Sequence, residues 1–185
     1  MTFLPGDIVG VRGNLLMRIL NLLVSPYSDR GHFLLLGEYA DGDWTIYESL
    51  FSKGLRVGKL SQYKGKDIEV GRVDEETGAL VIRDIARYGH IRYDFLSFFR
   101  LVWAGVKYRV KHGKPISYAM LSDRPNKSFL CTELITEAYR DYCQFVPGNV
   151  AATPAAIMQA YSSGLIEMIW RGVLANNNGM EVANA

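Results

Sequence analysis

The stretch GHFLLLGEYADGDWTIYESL, residues 31–50, limits the possible folds more than any other part of the chain. Two apolar, β-prone runs flank an Asp-Gly pair, which is the strongest short-range signal for an antiparallel hairpin. His32 opens the first run. An unpaired imidazole among HFLLL is costly, so the ring needs a polar partner. Glu48 on the second arm is the candidate. If facing residues sum to 80, His32 lies opposite Glu48, Leu34 opposite Ile46 and Leu36 opposite Trp44, with residues 37–43 as the loop. Directly opposed side chains share a face about 5 Å apart. A tight turn at Asp41-Gly42 would instead send Glu48 to the other face.

Around this hairpin the pattern gives strands early and helices late. GDIVGVR, 6–12, reads as a strand opened by a Gly-Asp turn, with Asp7 as a turn or cap residue. Leu15, Ile19, Leu22 and Leu23 have helical spacing over 14–24, and Pro26 ends that helix. GLRVGKLSQY reads as a loop followed by a short strand or turn. DIEVGRV and ALVIRDI flank DEETG as a strand and the start of a strand or helix. Phe95, Phe98, Phe99, Val102, Trp103 and Val106 give a helix over 93–111 a broad apolar face, expected in the core. Arg100 and KYRVKHGK read as its solvated edge. A helix is expected over 128–143 and another after Thr153, with Thr153 as cap and Pro154 as first helical residue. LIEMIWRGVL closes as a strand. Residues 1–175 read as one domain of the α+β class with an antiparallel sheet, and 176–185 as a mobile polar tail.

The chain has 185 residues, 49% of them hydrophobic and 22% charged, enough for one packed core. A net charge of +2, with no dense run of Lys and Arg, argues against nucleic acid as a partner. LLMRILNLLV and FLSFFRLVWAGV are too short to span a bilayer, and each contains an Arg. MTFLPGDIVGVRGN has no basic leader and apolar core of a signal peptide. Two cysteines, Cys131 and Cys143, make no disulfide framework and suit a reducing compartment. No zinc-type spacing surrounds Cys131. A cytoplasmic or virion-associated protein is expected.

Cys131 heads the helix in SFLCTELITEAYRDY, where the first backbone N–H groups favour a thiolate. A nucleophilic thiol needs a general base. Of three histidines, His112 falls in the basic loop VKHGKP and His90 in a polar connection, which leaves His32. Glu133, in the first helical turn, reads as a partner of the helix dipole. Cys143, late in the same segment, reads as a packing residue.

GDIV, HFLLLGEY…WTIYES, YDFL, FLCTELITEAY and TPAAI, taken in order, resemble the circularly permuted NlpC-type papain-like proteins of the YiiX-like branch. The likeness spans roughly residues 5–160. Permuted members run His, then a polar residue, then Cys, and here the order is His32, Glu48, Cys131. The resemblance implies a papain-like sheet packed on helices and a thiol hydrolase without metal or organic cofactor. In it His32 takes the Cys131 proton, Glu48 orients the ring, and the Cys131 N–H is one oxyanion donor. Ser128, Asn126 and Tyr27 are candidates for the second donor. Glu48 stands where many cell-wall members have His. The expected substrate is an amide in a cell-wall-type peptide. The alternatives are hydrolysis or transfer of a lipid acyl chain by the same residues, or a structural role in a virion or cell-envelope assembly.

Overall fold

The computed structural model describes residues 2–15, 18, 19, 28–50, 53–85, 92, 93, 95–117, 120, 128–145 and 152–175. A six-stranded antiparallel sheet is formed by β1 (Ile8–Arg12), β2 (Arg30–Ala40), β3 (Asp43–Leu50), β4 (Gly54–Lys59), β5 (Asp67–Arg72) and β8 (Glu167–Val173), in the spatial order β4-β3-β2-β1-β5-β8. β6 (Arg92–Tyr93) and β7 (Ser128–Phe129) form a short parallel pair. The helices are α1 (Glu75–Ile85), α2 (Phe95–His112), α3 (Cys131–Tyr139) and α4 (Pro154–Ser162). The protein is therefore of the α+β class. Of the helix expected over 14–24, residues 15, 18 and 19 are helical, and its remainder after Ile19 lies outside the described residues, as does the tail 176–185.

Both faces of the sheet are covered, which explains why Phe33, Leu34, Leu35 and Leu36 are all fully buried rather than alternating. Ile8, Phe33 and Leu35 face α1, α3 and α4, packing with Val81, Ile85, Leu134, Ile135, Ile157 and Ala160. Val9, Leu34, Leu36, Ile46, Ile68 and Ile169 form a second core on the other face with Phe3 and Leu60. In a flat sheet β3 and β8 would lie about 19 Å apart. The Phe3 ring nonetheless sits 6.4 Å from Trp44 on β3 and 6.1 Å from Trp170 on β8, so the sheet is curled around it.

Caps and close approaches place the helices. Asp74 accepts a bond from the Thr77 N–H at 2.7 Å and starts α1 within DEETG, so ALVIRDI is helix rather than strand. Gly6, at φ +91°, lies against α1 where a Cβ would stand 2.2 Å from the Gly78 Cα. Thr153 caps α4 by accepting from the Ala156 N–H, with Pro154 next. GLRVGK is strand β4, and LSQY is a 3-10 turn.

The β2–β3 register differs from the expected one. Asp41 (φ +55°) and Gly42 (φ +78°) do form the tight turn, pairing Ala40 with Asp43 and Tyr39 with Trp44. That register alone would put Glu48 on the wrong face. A bulge between Leu36 and Tyr39 inserts one residue and restores the phase, so Leu36 faces Ile46 and Leu34 faces Glu48. Gly37 sits in the bulge, where a Cβ would lie 2.7 Å from the Tyr47 ring. Glu48 thus shares a face with His32 as a diagonal neighbour, not as the directly opposed residue.

Candidate functional site: a thiol, an imidazole and a buried carboxylate

The site assembles where the β2–β3 ladder ends. His32 Nε2 lies 2.7 Å from Glu48 Oε2. The Glu48 side chain is fully buried, that of His32 19% exposed. Glu48 Oε1 accepts from Arg56 Nε at 2.8 Å and forms an ion pair with its Nη2 at 2.6 Å, and the Tyr63 hydroxyl donates to Oε2. A carboxylate held by these donors stays ionised: burial pushes its pKa up, but the bonds from His32, Tyr63 and Arg56 and the nearby positive charge prevail and lower it to about 2. Because an ionised carboxylate only accepts, Nε2 must carry the proton. The nitrogen left for the thiol is Nδ1.

Cys131 and His32 lie close enough for each to shift the other's pKa. Burial pulls the imidazole pKa down, yet its bonds to Cys131 and Glu48 and their charges raise it to about 9. Burial likewise pushes the thiol up, but the His32 bond and charge, with the N–H groups of Phe33 and Thr132, bring it below the ordinary thiol value. The arrangement favours a thiolate–imidazolium pair.

The Phe33 N–H is available for a reason that the ladder makes plain. Leu36 N–H donates to Asp7 on the β1 side, so odd-numbered N–H groups in this part of β2 point toward β3. Pairing with β3 begins only at Leu34–Glu48. Phe33 is the next donor beyond that end, and its N–H helps to lower the Cys131 pKa.

Helix α3 is held in place at both ends. Its cap residue, Leu130, supplies no side-chain hydrogen bond. Glu133 instead reaches back to accept from the Leu130 N–H at 2.5 Å. The Cys131 N–H precedes the first i→i−4 bond and remains at the helix start beside the thiol. Thr132 donates its hydroxyl proton to the Ala152 carbonyl, and the Tyr139 hydroxyl donates to the Gly6 carbonyl at 2.6 Å. On the other side of the site, fully buried Arg30 pairs with Glu69 at 2.9 Å and Asp67 at 3.0 Å, fixing the start of β2.

The structure therefore brings Cys131, His32 and Glu48 together. Cys143 packs against the helix-side core, and Asp7 accepts from the Leu4 N–H while pairing with Arg72. His112 is exposed at the end of α2, with its ring 4.4 Å from Tyr108. His90, Tyr27 and Asn126 lie outside the described residues, as does the side chain of Ser128. Sequence reasoning missed Arg56, Tyr63 and the Phe33 N–H. Arg56 faces Glu48 across the β3–β4 pair, and the Tyr63 ring stacks over His32 at 6.1 Å and 21°. Only the Arg had a readable signal, as a cation on a strand that follows Glu48 after a short turn. Among the described residues, no group of three or more His, Cys, Asp or Glu side chains gathers as a metal site requires. None of the described helices is long and apolar enough to cross a membrane.

Compared with models of protein families and with curated protein sequences, the chain matches none.

Proposed function

We propose that the protein is a thiol hydrolase of the permuted NlpC-type, papain-like kind, which cleaves an amide in a cell-wall-type peptide through an acyl-enzyme on Cys131. The observation that carries the reading is the convergence of a lowered Cys131 thiol, a raised His32 imidazole and a carboxylate held ionised by Arg56 and Tyr63. The chain order His32, Glu48, Cys131 and a Cys-headed helix packed on an antiparallel sheet support it.

In the first step the thiolate attacks the amide carbon and a C–S bond forms. The oxyanion develops beside the Cys131 N–H at the helix start, while the imidazolium Nδ1 delivers its proton to the leaving nitrogen as the C–N bond breaks. Neutral His32 then takes a proton from water, whose oxygen attacks the thioester. Collapse releases the acid and restores the thiolate and imidazolium. Throughout, Glu48 holds Nε2–H and stabilises the charged ring.

Lipid acyl-ester hydrolysis by the same residues is the second reading, and the exposed apolar face of α2 favours it. The test is intact-mass analysis after brief exposure to stem-peptide amides and soluble acyl esters. An acyl adduct is expected in the wild type and in Cys143→Ala, and not in Cys131→Ala. A full panel with no adduct and no turnover would contradict the proposal.

A further inference from the structure

His32 stands in β2 next to a bulge. Val11 pairs with His32 and Arg12 with Arg30, so Gly31 is the extra residue between them. In an unbroken strand Arg30 and His32, two residues apart, would share a face. The bulge breaks that phase. Arg30 comes opposite Arg12, on the face of Gly10 and Glu69, while His32 keeps to the face of Glu48. His32 also precedes Leu34–Glu48, the first pair of the β2–β3 ladder. Backbone pairing alone therefore fixes the ring loosely.

Arg30 supplies a second anchor. Its side chain is fully buried and crosses β1 to reach β5, the strand on the far side. Nε lies 2.9 Å from Glu69 Oε2, and Nη1 donates to the Asp67 carbonyl at 3.2 Å and to Asp67 Oδ1 at 3.0 Å. Asp67 and the neighbouring Asp29 are partly exposed and also pair with Arg12, whereas Glu69 is shut off from solvent. Gly10 lies between the buried partners. It pairs with Phe33 on one side and Glu69 on the other, and a Cβ there would stand 3.0 Å from Glu69 Oε1. A glycine at this point lets the carboxylate lean over β1 toward the guanidinium. A buried ion pair adds little stability over an apolar pair of the same volume, but it accepts fewer geometries.

We propose that Arg30 is a positioning residue for His32: its buried pair with Glu69 across β1 locks the Gly31 bulge and thereby aims the imidazole at Cys131. Arg30 acts through the backbone that joins it to His32. The role rests on the thiol–imidazole reading of the site, and not on the identity of the substrate.

The test compares Glu69→Gln and Arg30→Lys with the wild type in the full chain. Gln keeps the size of Glu69 and removes its charge. Lys keeps the charge of Arg30 and loses the fork that spans Glu69 and Asp67. The readouts are circular dichroism, steady-state kinetics on a soluble ester, and the pH dependence of iodoacetamide alkylation at Cys131 and Cys143. Both variants should keep the wild-type circular dichroism. Their kcat should fall about 10- to 100-fold with KM within about twofold. The Cys131 inflection should move up toward the ordinary thiol value of about 8.5 while that of Cys143 stays in place. Gly10→Ala, which crowds Glu69 without changing any charge, should move kcat and the Cys131 inflection in the same directions and by less. If one variant does not fold, the other two decide. Wild-type kcat and a wild-type Cys131 inflection in the folded variants would overturn the inference, because a merely structural pair would lower only the melting temperature. So would a rise in KM at unchanged kcat, which would place Arg30 in substrate binding. Alkylation needs no substrate. A Cys131 shift in a protein that turns over no ester or amide would therefore support the positioning role and contradict the hydrolase reading.

Discussion

Cys131 starts the nine-residue helix α3 and Cys143 lies four residues past its end, and their surroundings drive them in opposite directions. Cys131 starts α3, where a hydrogen bond and charge from His32 and two backbone N–H groups outweigh burial and lower its pKa. Cys143 follows the last turn, its N–H bonded to the Tyr139 carbonyl at 2.7 Å. There burial and the negative charge of Asp74 raise its pKa. The chemistry of a thiol is thus set by the helix end it occupies and by the charge that faces it. The sharpest functional contrast follows: Cys131→Ala should lower turnover by at least about 10⁴-fold, whereas Cys143→Ala should leave it within about twofold because that thiol touches none of the reacting groups. Steady-state kinetics on a soluble ester reads both.

The next largest effect separates the charge of Glu48 from its shape. Glu48→Gln should cut kcat by about 10²- to 10⁴-fold. It should also move the alkaline limb of the pH–rate profile down from about 9, because, of the two groups that raise His32 against burial, Cys131 first and Glu48 second, the carboxylate has lost its charge. A profile that falls in height without moving would assign Glu48 to packing alone. Tyr63→Phe removes one of the donors while keeping the ring over His32. It should lower stability by about 1.5–3 kcal/mol, the worth of a hydrogen bond to a charged group, and reduce turnover less than Glu48→Gln does. Chemical denaturation paired with kinetics checks both.

Acid should expose the same linkage globally. The Glu48 pKa is depressed in the fold from 4.5 to about 2, so its stabilising contribution is complete above about pH 4.5 and is lost as pH falls toward 2. His32 is raised from 6.5 to about 9, so its contribution is complete below 6.5 and lost as pH rises through 9. Thermal melts of the wild type should fall at both extremes. In Glu48→Gln both dependences should flatten.

The sequence revealed the hairpin, the caps at Thr153 and Pro154, and the shared face of His32 and Glu48. Their pairing arises differently from the simple antiparallel register. The Asp41-Gly42 turn makes facing residues sum to 83 rather than 80, and the bulge at Gly37 brings the sum to 82, which returns Glu48 to the face of His32 without making the two directly opposed. An isolated Gly inside the apolar strand was the one readable sign of that bulge. Arg56 was only faintly readable because GLRVGK is an edge strand with Val57 turned to solvent, so it shows no clean alternation, and Tyr63 was hidden because it lies in the 3-10 turn LSQY. The Phe33 N–H is a backbone group whose role depends on where a ladder stops, and no side chain marks it. Helix α2 shows a different limit. Periodicity revealed an apolar face, but not that its Trp103 side turns outward while Leu101 and Tyr108 pack inward.

The most direct test of the thiolate–imidazolium pair is the pH dependence of alkylation at each cysteine, resolved by peptide mass in the wild type and in His32→Ala. Cys131 should react with an inflection below the ordinary thiol value of about 8.5, and Cys143 with one above it. His32→Ala should move the Cys131 inflection upward and leave Cys143 unchanged. Equal inflections for the two thiols in the wild type, or a Cys131 inflection indifferent to His32, would contradict the account.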